Sequence, residues 1–104
     1  MTKKIQNLSL LFKALSDKNR LKILSYVQKR DLKCKLDQKG KCEDQTCIKD
    51  LQKHLKISMP TVSHHVKELS ASGLIVTKKQ GQWSYLRINS KHFEEINTFI
   101  SSFY

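Results

Sequence analysis

The stretch SMPTVSHHVKELSASG, residues 58 to 73, constrains this chain more than any other, because it carries its own start and stop. Ser58 is a side chain that can accept from a free helical N–H, and Pro60 falls in the first turn, where a missing N–H costs little. Gly73 suits the left-handed residue that closes a helix. Between them Val62, Val66 and Leu69 stand at i, i+4 and i+7 and define a buried face. Thr61, Ser63, His64 and Lys67 stand on the exposed side and are small or polar. Upstream, Ile48, Leu51 and Leu55 recur at helical spacing after Thr46 as a cap, and Lys56–Ile57 form a brief turn. Downstream, Leu74, Ile75 and Val76, then Tyr85, Leu86 and Ile88, are β-formers on either side of a KKQGQ turn, which signals a hairpin.

The remaining segments supply three helices and one irregular stretch. Ile5, Leu8, Leu11, Phe12 and Leu15 predict a helix over residues 3–15. Asp17 caps the next, which carries Leu21, Ile23, Leu24 and Val27 and runs out near residues 29–31. Residues 31–45 lose periodicity and hold one glycine, so they are expected to be a loop, unusually long for a small domain. Phe93, Ile96, Phe99, Ile100 and Phe103 give a terminal amphipathic helix, with Ser90 as cap. The order is helix, helix, long loop, helix, turn, helix, hairpin, helix. A helix-turn-helix followed at once by a hairpin is a winged helix, mainly α with a β-hairpin wing.

Charge points to the partner. Twenty Lys and Arg against nine Asp and Glu leave a net charge of +11 on 104 residues. That balance attracts polyanions, and beside a helix-turn-helix it favours nucleic acid over a basic surface kept for solubility. A helix enters the major groove and its N-terminal residues reach base edges. Thr61, Ser63 and His64 are therefore the candidate readers, and Lys67 a phosphate contact. Lys78, Lys79, Gln80 and Gln82 at the expected hairpin tip would lie along the backbone. No nucleophile motif, phosphate-cradling glycine loop or paired carboxylates point to an enzyme. No run of 18 apolar residues exists to span a membrane. The first residues, broken by Gln6, Asn7, Ser9 and Lys13, make a poor leader, so a cytoplasmic protein is expected. All three cysteines, Cys34, Cys42 and Cys47, crowd into fourteen residues, a pattern that in a reducing compartment suggests metal or redox chemistry.

Three segments together resemble the ArsR/SmtB family of metal-sensing bacterial repressors: ALSDKNRLKIL (14–24), IKDLQKHLKISMPTVSHHVKELSASGLI (48–75) and KKQGQWSYLRI (78–88). The likeness covers most of the chain outside residues 31–45. It implies one domain: a helix-turn-helix at 46–73, a wing at 74–88, dimerisation helices at 1–15 and 90–104, and a cysteine-bearing loop at 31–47. It also implies a homodimer that represses transcription from a pseudo-palindromic operator until an inducer lowers its affinity, with Ser58, Thr61, Ser63 and His64 at the family's base-facing and backbone-facing positions.

Two inducer sites are usual in that family. The one on the terminal helix needs Asp and His ligands; here Asn89 replaces the Asp and His92 stands alone, so that site is expected to be absent and His92 to be a surface or capping residue. The other lies at the helix before the recognition helix. Cys47 matches its first cysteine, but Lys49 replaces the second. Cys34 and Cys42 would have to complete a three-thiolate site suited to As(III), Cd(II), Pb(II), or Zn(II) with a fourth ligand. His54, seven residues beyond Cys47, is awkwardly placed to serve. Lys33, Lys35, Lys39 and Lys41 would lower the thiol pKa values, favouring ligation and oxidation alike. Metal or metalloid sensing, a thiol-redox or persulfide switch, and a constitutive DNA-binding protein with no inducer all remain open on the sequence.

Overall fold

In the computed structural model, residues 2–37, 46–80 and 83–104 are described. The elements are α1 (Thr2–Leu15), α2 (Lys18–Asp37), β1 (Thr46–Cys47), α3 (Ile48–Leu55), α4 (Met59–Ser72), β2 (Ile75–Gln80), β3 (Trp83–Ile88) and α5 (Ser90–Ser101). The expected order of helices and hairpin is present, with one addition. Thr46 does not cap α3; it begins a two-residue strand that pairs antiparallel with β3, Thr46 opposite Leu86 and Cys47 opposite Tyr85. The sheet order is thus β1-β3-β2. Cys47 takes the N-cap position instead, and Asp50 reaches back to accept from its N–H at 3.4 Å.

A second correction concerns α2. It does not run out near residues 29–31 but continues to Asp37, so the first part of the span expected to be a loop, 31–47, is helical and Cys34 lies on it. Nothing between Lys29 and Leu36 breaks a helix: Lys, Arg and Leu predominate there, and the first glycine is Gly40. Loss of an apolar stripe does not by itself stop a helix whose residues favour it.

One core joins every helix. Leu8, Leu11 and Ala14 of α1, Ile23, Leu24 and Val27 of α2, and Leu51 of α3 meet Val62, Val66 and Leu69 of α4, with Leu74, Ile75, Leu86 and Ile96 completing it. The junction between α4 and the wing is built from backbone bonds. Gly73 donates to Ser70 at 3.1 Å and Leu74 to Leu69 at 3.1 Å, the paired pattern that closes a helix through a left-handed residue. Gly73 adopts that conformation with φ 84°. Leu69 and Leu74, both fully buried, supply the apolar contact that accompanies it. Leu74 then accepts from Asn89, tying the start of β2 to the start of α5.

Candidate nucleic-acid interface

The α3–α4 corner is set by two residues. Lys56 takes a left-handed conformation, φ 57°, and its N–H caps α3 by donating to Gln52 at 2.9 Å. Ser58, extended at φ −66° and ψ 151°, starts α4; its Oγ accepts from the Thr61 N–H at 3.4 Å, and Pro60 occupies the first turn. The two hydroxyls of Ser58 and Thr61 also bond each other at 2.8 Å. Such a cap contributes about 1 kcal/mol to the helix.

Ser58, Thr61, Ser63, His64 and Lys67 are all exposed, and Val62, Val66 and Leu69 face the core. His64 borders a cleft of about 480 Å³ beside Lys13, Ala14 and Arg20 of the α1–α2 corner. That corner is itself well bonded. Asp17 accepts from the N–H groups of Asn19 and Arg20 at 2.8 and 3.1 Å, as its expected capping role requires. Arg20 turns back to donate from Nε to the Ala14 carbonyl at 2.7 Å and from a terminal nitrogen to the Lys13 carbonyl at 3.3 Å. The Arg20 N–H bond, with further help from the Asn19 N–H and the charges of His65 and Arg20, holds the Asp17 carboxyl below the ordinary carboxylate range.

His65 was missed in the sequence. It is buried on α4 with Nε2 3.9 Å from Asp17 Oδ1, and its Nδ1 has no hydrogen-bond partner among the described residues. Its ring lies 5.8 Å from that of His64. The signal was available: position 65 is three beyond Val62 and four before Leu69, inside the same apolar stripe.

The wing differs from expectation in its tip. Lys78, Lys79 and Gln80 belong to β2, in register with Tyr85, Ser84 and Trp83 of β3, and not to the turn. On β3 the β-formers Trp83 and Tyr85, opposite Gln80 and Lys78, extend the ladder to that point. Residues alternate faces along a strand. Lys79 therefore shares its face with Thr77, whose hydroxyl bonds Ser70 of α4 at 3.0 Å, and Lys78 takes the opposite face. Both lysines are exposed. Gln82 lies outside the described residues.

Of the cysteines, Cys47 is buried at the head of α3, Cys34 lies on α2, and Cys42 falls outside the described residues, so the three-thiol site does too. Among the described residues no three His, Cys, Asp or Glu side chains gather as a metal would require. His54 stacks on Tyr26 of α2, ring centroids 4.5 Å apart. His92 is half-buried, with Nδ1 3.5 Å from Glu95 Oε1. Among the described residues no helix is long and apolar enough to cross a membrane.

The family model for bacterial regulatory proteins of the arsR family matches residues 42–77. The arsenical resistance operon repressor of Staphylococcus xylosus is 33% identical over 92 residues, covering 88% of this chain and 75% of that protein. The arsenical resistance operon repressor of Bacillus subtilis (strain 168) is 34% identical over 90 residues, covering 86% and 70%. An ArsR family transcriptional regulator of known structure superposes with a TM-score of 0.74 at 23% identity, covering 93% of this chain and 86% of its own. A homodimeric winged helix-turn-helix DNA-binding domain of a possible ArsR-family regulator from Mycobacterium bovis gives 0.68 at 16% identity, covering 94% and 78%. The two structures establish the winged-helix fold.

Proposed function

Because this chain belongs to the arsR family of bacterial regulatory proteins, we propose that it represses transcription as a homodimer on a pseudo-palindromic operator and leaves the DNA when a thiophilic metal or metalloid engages its cysteines. The family and its winged-helix fold are those of DNA-binding transcriptional regulators and not of enzymes.

The reading rests on α4. Its N-terminus is capped by Ser58, its inner row is in the core, and its outer row of Thr61, Ser63, His64 and Lys67 stands exposed. A helix so disposed fits the major groove, with hydroxyls and imidazole at base edges and the lysine at a phosphate. Lys79, on the strand face that meets α4, is the wing residue assigned to the same duplex. Lys78, Gln80 and Gln82 complete the wing set. Dimerisation through residues 1–15 and 90–104 is favoured by the homodimeric Mycobacterium bovis domain and by apolar surface the single chain leaves in water. Ile5, Phe12, Ile100 and Phe103 are exposed, and the rings of Phe12, Phe99 and Phe103 form a continuous row spaced 6.0 and 5.1 Å.

As(III) is the first candidate inducer, since the relatives are arsenical resistance repressors. Cd(II), Pb(II) and Zn(II) follow from thiolate chemistry. Cys47 at the head of α3 is the anchoring donor; Cys34 and Cys42 are assigned as its partners. A bond to the Cys47 sulfur would act on the helix packed against α4.

The test is operator binding by the reduced protein. His64→Ala is expected to relax sequence preference, and Lys79→Ala to weaken binding to all duplexes alike. As(III), but not buffer, is expected to release the operator, and Cys47→Ser to abolish that release. Interchanged effects of the two DNA variants would show the recognition helix misassigned. Release by peroxide or persulfide with no response to metal ions would replace the inducer. No response to any of them would leave a constitutive DNA-binding protein.

A further inference from the structure

An open cleft of about 630 Å³ runs along α2 to the last turn of α3, remote from the cysteine at the other end of α3. It is lined by Lys18, Lys22, Tyr26, Lys29, Arg30 and His54, with Leu21 and Ser25, and among the described residues no carboxylate lines it. Lys18, Lys22 and Lys29 follow one face of α2 at helical spacing, and all three are exposed or half-exposed. Tyr26 is the floor. His54 stacks on its ring, the Arg30 guanidinium lies 5.2 Å above its centroid, and an Arg30 terminal nitrogen donates to its hydroxyl at 2.8 Å. The guanidinium is thus held in place by an aromatic contact and a hydrogen bond.

We propose that this face is a second DNA-backbone contact, an α2 stripe that grips phosphates flanking the groove entered by α4; the proposal rests on the DNA-binding reading above. Three observations favour a duplex. Among the described residues the charged side chains of the lining are all basic. The stripe from Lys18 to Lys29 spans about 16 Å at 1.5 Å per residue, a length over which a duplex presents several backbone phosphates. The cleft also ends close in the chain to the proposed interface: His54 precedes Ser58, the cap of α4, by four residues, and exposed Lys56 lies between them. Contacts of this kind carry no sequence information and act through counterion release.

The experiment compares parent, a Lys18→Gln/Lys22→Gln/Lys29→Gln variant, and His64→Ala, on operator and on an unrelated duplex, across a salt series. None of these lysines is buried, and circular dichroism confirms that the variant is folded. The triple variant is expected to weaken binding to both duplexes by the same factor. It should also flatten the log–log salt slope by about 0.9 for each phosphate that is no longer neutralised. His64→Ala should leave that slope in place while losing operator preference. An unchanged slope and affinity in the triple variant, with the parent binding operator normally, overturns the α2 stripe alone. Absence of salt-dependent duplex binding by the parent overturns both readings. Loss of binding to phosphatidylglycerol vesicles, with DNA binding intact, overturns the stripe in favour of a membrane surface.

Discussion

Gly73→Ala tests how the recognition helix is joined to the wing. The perturbation adds one carbon, and the structure supplies two separate costs. Gly73 sits at φ 84°, where an L-residue costs about 1–2 kcal/mol. The added Cβ would also lie 2.5 Å from His92 Cδ2 and 2.6 Å from Nε2, so the imidazole must move. The ring is half-buried against this turn, and displacing it from its rotamer costs about 0.5–1.5 kcal/mol. Together they predict a destabilisation of about 1.5–3.5 kcal/mol. In a His92→Ala background the second cost vanishes, so the same substitution should cost only about 1–2 kcal/mol. The difference, about 1 kcal/mol, is the coupling that a double-mutant cycle reads. The assay is urea unfolding of the four proteins at one protein concentration, because association contributes to apparent stability. Equal costs in both backgrounds would refute the steric part. A cost below about 0.5 kcal/mol in either would refute the left-handed requirement.

Two further outcomes are expected. Asp17 has a lowered folded-state pKa, so its stabilising contribution is present above the unfolded value of about 3.9 and is lost as pH falls through the folded value. Asp17→Asn should therefore flatten the fall of the urea midpoint below about pH 4, and an acid limb identical to that of the parent would refute the capping account. Leu51, fully buried beneath the α3–α4 corner, should cost about 2–5 kcal/mol when changed to Ala; a destabilisation under about 1 kcal/mol would mean that α3 is not docked as described.

Much of the architecture was legible because its signals are local. Ser58, Pro60 and Gly73 act within a turn of themselves, through free N–H groups and a backbone conformation, so the ends of α4 were readable from residue type. The same holds for Asp17 at the head of α2. Where the reading failed, the reasons differed: the cap of α5 is Asn89, whose Oδ1 accepts from the Lys91 N–H at 3.3 Å, and not the expected Ser90. Thr46–Cys47 is a strand only because β3 lies beside it, about forty residues away in the chain. The end of α2 was misplaced because the reading followed an apolar stripe, whereas residues of good helix propensity such as Lys, Leu and Arg continue a helix without one.

The candidate site divides in the same way. By itself the sequence determined that a capped helix would carry a polar row of Thr61, Ser63, His64 and Lys67, that a hairpin would follow, and that the whole would be strongly basic. Those properties depend on residue type and on periods of 3.6 and 2. Only the tertiary structure decided that His65 would face Asp17, that Lys79 rather than Lys78 would share the face of α4, and that Lys18, Lys22, Lys29, Arg30 and His54 would line one cleft. Charge and spacing cannot supply these, because each depends on which elements pack together and in what register.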